Sequence, residues 1–200
     1  MKIIGLCGTS GSGKGYVSRV FLKYGVPTID TDQIYREITI KKGAPCLREL
    51  VTQFGEQILD ENGELDRKSL ASIVFEGYGS KKRLEKLNVI AHKYIKSDTE
   101  AILEKYKKEG KRAAIIDAPV LFESGFDTMC DFTIAVTAPY ELKLERIISR
   151  DGILKEKAEA RLKNQLNDDE LVRLTTYQID NSNCELDLQI ENILKKENII

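Results

Sequence analysis

The stretch GTSGSGK, residues 8–14, sits between the apolar run KIIGLC and a segment in which Val17, Val20, Phe21 and Tyr24 recur at helical spacing. It fits G-x-x-x-x-G-K at Gly8, Gly13 and Lys14, in the strand–loop–helix setting that gives the pattern its meaning. Glycine tolerates positive φ and lets the backbone approach a ligand closely. Successive N–H groups then line a concavity suited to phosphate oxygens, and the helix start adds the positive end of its dipole. Lys14 supplies a point charge for the β- and γ-phosphates. A glycine-rich turn with a solvated lysine would use the same letters, but strand, spacing and helix together point to phosphate.

The rest of the chain repeats the alternation. VPTID, RAAIIDAP, FTIAVTAP and YQIDN read as further short strands, and Gly25 ends the first helix. TDQIYREITIKKG reads as a helix after capping residues, and residues 47–75 as short helices broken by DENGELD. Residues 80–109 read as one long helix with Leu84, Leu87, Ala91, Tyr94, Ile95, Ile102 and Tyr106 on a face. YELKLERIISRDG, the basic segment KEKAEARLKNQLND and CELDLQIENILKK read as the last helices, the final one carrying Leu186, Ile190, Ile193 and Leu194 inward. Apolar strands alternating with helices predict a parallel five-stranded sheet with helices on both faces and right-handed crossovers. Ligands in such sheets bind beyond the carboxyl ends of the strands, which sets the glycine loop, Asp30 and Asp117 along one edge.

At 200 residues the chain suits one domain with an insertion. Its net charge of −1 gives no cationic field for nucleic acid, so small anions must be held by local Lys and Arg. Cys7, Cys46, Cys130 and Cys184 are scattered and only one histidine is present, which argues against a Cys/His zinc site and for reduced thiols; Cys7 reads as a core residue. The run from Ile3 to Cys7 is too short for a signal peptide, and no stretch approaches the roughly 20 apolar residues of a membrane span. A cytoplasmic protein, without nucleic-acid or membrane partners and monomeric or weakly homo-oligomeric, is expected.

Two features qualify the phosphate loop. Position 15 is Gly, where Ser or Thr would place a hydroxyl on Mg2+; without it the ion keeps more of its own waters, which it gives up reluctantly. GSGKG is similar to the loop of adenylate and related nucleoside monophosphate kinases, and no [NT]-K-x-D guanine-reading motif occurs. Asp30 and Asp32, at the end of the second strand, suit orienting an acceptor hydroxyl, taking its proton, or holding metal-bound water. For Asp32 a helix N-cap is the alternative.

The series GTSGSGK, IDTDQIYREI, FGEQILDENGELDRKSLASIVF, RLEKLNVIAH, IIDAPVLFESG, RIISRDG, ARLKNQ and QIDNSN, in this order over nearly the whole chain, resembles the dephospho-CoA kinase family. The resemblance implies an α/β P-loop kinase with a helical acceptor-binding insertion and a small helical lid. Residues 1–32, 112–149 and 172–200 would form the nucleotide-binding core, 33–111 the acceptor lobe and 150–171 the lid. It implies transfer of the ATP γ-phosphate to the ribose 3′-hydroxyl of dephospho-CoA, with Mg2+. Asp32 matches the general base or hydroxyl-orienting carboxylate. Gly11, Ser12, Gly13, Lys14, Gly15 and Tyr16 match the ATP-binding loop, although the family usually reads Lys-Ser-Thr where this chain has Lys14, Gly15 and Tyr16. Nucleoside monophosphate kinase activity, or nucleotide binding with weakened catalysis, are the alternatives.

Further candidates surround this frame. Arg146 and Arg150 share a helix face at i, i+4, and Arg161 follows on the basic helix. Arg146 is a candidate for ATP, and Arg150 and Arg161 for lid arginines that stabilise equatorial oxygens; a solvated charged helix is the bland alternative. Asp117 is a candidate for Mg2+, directly or through water, or begins a turn before Pro119. Asp30, Arg67, His92 and Glu123 are acceptor-side candidates. The family usually has His-Pro where this chain has His92 and Lys93, so His92 also reads as an ordinary helix-surface residue.

Overall fold

The computed structural model describes residues 1–40, 42–182 and 185–200. Asn183 and Cys184, whose thiol is expected to be reduced, lie outside the described residues. The chain forms two compact units, Met1–Asp30 with Leu103–Ile200, and Thr31–Ile102.

The first unit holds the sheet. Its strands are β1 (Lys2–Cys7), β2 (Thr28–Asp30), β3 (Ala113–Asp117), β4 (Phe132–Thr137) and β5 (Tyr177–Asp180), in the spatial order β2-β3-β1-β4-β5. All four pairings are parallel. Register aligns Asp30 with Asp117 and Leu6 with Asp117, so the loop after β1 and both acids share the carboxyl edge.

Two helices cover one face of the sheet. Val17, Val20 and Phe21 of α1 (Lys14–Lys23) and Leu186, Ile190, Ile193 and Leu194 of α9 (Leu186–Lys196) pack on Ile4, Leu6, Ile115, Ile134, Val136 and Ile179. Each such side chain contributes about 1.5–3 kcal/mol relative to exposure, an upper value because unfolded chains are partly collapsed. The alternate strand residues Ala114, Ile116 and Ala135 are also fully buried. On that face the chain after β3 presses on the sheet: a Cβ at Gly5 would lie 2.9 Å from Leu121 Cδ2 and 3.0 Å from Cys130 Sγ. Cys7 is 1% exposed, as a core residue should be.

Beyond β4 come α6 (Tyr140–Asp151), α7 (Lys155–Lys163) and α8 (Asp168–Leu174). The single basic helix expected over KEKAEARLKNQLND is a correction: it ends at Lys163, and a new helix starts at Asp168. The cause is local. Asn167 accepts from Glu170 N at 2.9 Å while the Glu170 carboxylate accepts from Asn167 N at 2.8 Å, a capping box legible as N-x-x-E.

The second unit holds α2 (Thr31–Ile40), α3 (Pro45–Phe54), α4 (Arg67–Phe75) and most of α5 (Ser80–Lys108), whose residues from Leu103 belong to the first unit. Its core is formed by Cys46, Leu47, Leu50, Ile58, Leu70, Val74, Leu87 and Ile90. DENGELD is a folded turn: Asp60 Oδ1 accepts from Asn62 N and Glu64 N, each at 2.9 Å, and Asp66 caps α4 by accepting from Lys68 N and Ser69 N. Among the described residues no helix is long and apolar enough to cross a membrane.

Candidate active site

The chain turns out of β1 at Gly8 and enters α1 at Lys14. Gly11 at φ +78° and Gly13 at φ +90° occupy left-handed conformations, and both are also crowded. A Cβ on Gly11 would meet Lys143 O at 2.4 Å and Lys143 Cα at 2.8 Å; one on Gly13 would meet Asn181 Nδ2 at 2.1 Å. Glycine is required here twice over, by backbone angle and by space.

The loop is held by its carbonyls. Arg146 Nη1 donates to Gly11 O at 3.2 Å and to Ser12 O at 3.3 Å, while Nη2 donates to Asn181 O at 3.1 Å. Asn181 Nδ2 donates to Ser12 O at 2.8 Å. Ser12 is fully buried, and its Oγ has no hydrogen-bond partner among the described residues. Tyr16 N already donates to Gly13 O and Ser12 N to Thr9 O, so it is the amides of Lys14 and Gly15, the first two residues of α1, that lack an acceptor within the helix, the position at which a helix start suits an anion.

Lys14 Nζ donates to Gly8 O at 3.2 Å and lies 3.9 Å from Asp117 Oδ1, with both side chains 17% exposed. Burial pushes the Cys7 thiol up to about 12, with Lys14 pulling it down and Glu123 and Asp117 adding to the rise. All three charges therefore surround the end of β1. Glu123 itself is exposed, as is Asp30 beside Asp117. Gly15 has no atom within 4 Å of a would-be Cβ, and half-exposed Tyr16 has the Arg19 guanidinium 5.7 Å from its ring centroid.

The remaining candidates fall in separate places. Asp32 lies inside the first turn of α2, which already begins at Thr31, so the capping alternative does not hold. Arg67 is exposed at the first position of α4, near enough to Tyr35 for its charge to oppose the upward shift that burial gives that phenol. His92 is half-buried on α5, and burial lowers its pKa. The helix runs unbroken through Lys93, whose Nζ donates to Glu49 at 2.7 Å and ties α5 to α3. Arg150 and Arg161 share one partner. Arg150 donates to Asp151 at 2.7 and 2.9 Å, Arg161 also bonds Asp151, and the two guanidiniums hold that carboxyl well below its ordinary range.

Sequence reasoning missed Asn181, Lys143, Gln165 and Asp168. Asn181 follows β5 at the same edge as Asp117, a position that alone marks it. Lys143 stands on the buried face of α6 with Leu144 and Ile147, where a charge demands a partner. Gln165 and Asp168 carry no local signal, since their partners are 155 and 159 residues away.

The dephospho-CoA kinase family profile matches residues 2–187. A dephospho-CoA kinase of Bacillus cereus is 38% identical over 200 residues, covering 99% of this chain and 98% of its own. A solved structure from Thermus thermophilus, TT1252, superposes with a TM-score of 0.80 at 27% identity, covering 98% of this chain and 97% of that one. The dephospho-CoA kinase from Campylobacter jejuni does so with a TM-score of 0.68 at 27% identity, covering 98% of each. With the glycine loop, the parallel sheet and the chain's full extent in agreement, this protein belongs to the dephospho-CoA kinase family.

Proposed function

We propose that this chain transfers the γ-phosphate of ATP to the ribose 3′-hydroxyl of dephospho-CoA, yielding CoA and ADP. The observation that carries the reading is the loop of residues 8–14, gripped by Arg146 and Asn181 at its carbonyls and leading into the N-terminus of α1, with the Lys14 ammonium held over the loop at Gly8 O. Gly11, Ser12, Gly13, Lys14, Gly15 and Tyr16 hold ATP, and Arg146 acts by fixing their backbone. Asp32 orients the acceptor hydroxyl and takes its proton as the phosphoryl group arrives. Arg150 and Arg161, on the lid of residues 150–171, exchange Asp151 for phosphoryl oxygens. Asp30, Arg67, His92 and Glu123 serve the acceptor.

Mg2+ suits the residues present. Asp117 and Asp30 are neighbouring oxygen donors at the strand ends, hard ligands of the kind Mg2+ prefers, and Gly15 leaves room for its waters. The ion would be held through Asp117 and would neutralise charge on the β- and γ-phosphates.

A coupled ADP-release assay with dephospho-CoA, AMP and CMP tests the proposal. Turnover that depends on dephospho-CoA is expected. Turnover only with AMP or CMP reassigns the acceptor, and ATP binding without turnover reduces the chain to a nucleotide-binding module.

A further inference from the structure

A second set of contacts holds the outer limb of the loop, from the chain just beyond α7. Ser10 N donates to Gln165 Oε1 at 2.9 Å. Thr9, only 5% exposed, donates its hydroxyl to Asp168 Oδ1 at 3.1 Å. The same Oδ1 accepts from Lys143 Nζ at 2.8 Å, and Oδ2 accepts from Ala138 N at 3.4 Å. Asp168 thus joins three segments: the loop, the end of β4 and α6.

We propose that Asp168 is a positioning residue for the phosphate-binding loop, acting on it through the Thr9 hydroxyl, with Lys143 fixing the carboxylate. The mechanical path is short. Ser12 N donates to Thr9 O at 3.1 Å, so residues 9–12 form a closed turn, and a tilt at Thr9 moves Ser12 and the amides that follow. Lys143 touches the loop twice, by its backbone against Gly11 and by its ammonium through Asp168. Lys143 is 7% exposed, so its ammonium, 2.8 Å from Oδ1, holds the Asp168 carboxylate in place against the loop. The neighbouring bond from Ser10 to Gln165 keeps the segment 165–168 against the loop. The amide nest is therefore clamped from both limbs: Arg146 and Asn181 on the inner, Asp168 and Gln165 on the outer. A purely structural ion pair between Lys143 and Asp168 would leave nucleotide affinity indifferent to Thr9.

The inference rests on the ATP site of the reading above, and the test separates the two. ATP binding is measured by calorimetry without acceptor, alongside KM for each substrate, kcat and thermal stability, for Thr9→Val, Thr9→Ser, Asp168→Asn and Thr9→Val/Asp168→Asn. Thr9→Val, which keeps shape and removes the hydroxyl, should weaken ATP binding about tenfold and raise KM for ATP with KM for the acceptor unchanged. Thr9→Ser should bind ATP close to the unaltered chain. Asp168→Asn should weaken ATP at least as much, and the double variant no further, because both act through one bond. Thr9→Val binding ATP as tightly as the unaltered chain overturns the inference even where dephospho-CoA is turned over, as do losses that simply multiply in the double variant. Should Asp168→Asn fail to fold, the contrast between valine and serine at position 9 decides alone. Weakened ATP binding by Thr9→Val in a chain inactive on dephospho-CoA would sustain the inference and sink the acceptor assignment.

Discussion

One chemical change, Gly→Ala, made at Gly13 and two positions on at Gly15, should have opposite consequences. At Gly13 the backbone sits at φ +90°, ψ 27°, where an L-residue costs about 1–2 kcal/mol. The new Cβ would also stand 2.1 Å from Asn181 Nδ2, which donates the 2.8 Å bond to Ser12 O. Asn181 is 6% exposed, so displacing its amide leaves buried polar groups unsatisfied at about 1–3 kcal/mol. Together these make Gly13→Ala destabilising by about 2–5 kcal/mol. Gly15, by contrast, is helical and has no atom within 4 Å of the added Cβ. There alanine removes backbone freedom from the unfolded chain and improves helix propensity, a gain of up to about 1 kcal/mol. Urea denaturation of both variants, with ATP calorimetry beside it, reads the contrast: Gly13→Ala loses stability and ATP affinity, and Gly15→Ala loses neither. Gly13→Ala within about 0.5 kcal/mol of the parent, the usual range of an inconsequential surface change, would refute the geometry described for the loop.

Further outcomes are expected. Asp32→Asn should lower kcat on the order of 10²–10⁴-fold while ATP affinity holds; near-normal turnover removes Asp32 from the chemistry. Gly15→Ser has room for its side chain and should strengthen the Mg2+ dependence of ATP binding; an unchanged magnesium titration would show the ion's ligands complete without a hydroxyl. The Cys7 and Cys130 thiols, pushed up to about 12 by burial, should stay silent to thiol reagents near about pH 8 in the folded chain. Because an unfolded thiol releases its proton from about 9, stability should fall as pH rises from there toward about 12; a flat alkaline profile contradicts this. Asp151, held low by Arg150 and then Arg161, contributes stability above the ordinary carboxylate range that is lost only well below it, so its carboxyl carbon should titrate by NMR far below a free aspartate.

How much of the site was legible divides along the range of the interaction. Gly13 and Lys14 announce themselves because strand, loop and helix are contiguous, and Asp117 because a parallel strand ends there. The break between α7 and α8 is equally local, written in Asn167 and Glu170, but the helix-forming residues around it run on without a Gly or Pro to mark it. Arg146 was singled out for its spacing from Arg150, yet the two diverge: one grips loop carbonyls, the other Asp151. Nothing in a helix period says which carbonyl a guanidinium will find.

The amino-acid order by itself determined the alternation of strand and helix, the phosphate loop and the lack of a hydroxyl at position 15, because each depends on neighbours within one turn or one strand. Tertiary structure alone decided the strand order β2-β3-β1-β4-β5, and it alone brought Asn181, Gln165 and Asp168 to a loop more than 150 residues earlier. The reason is physical: backbone propensity and apolar periodicity act locally, whereas the partner of a buried polar group is chosen by whichever segments the packed core sets side by side.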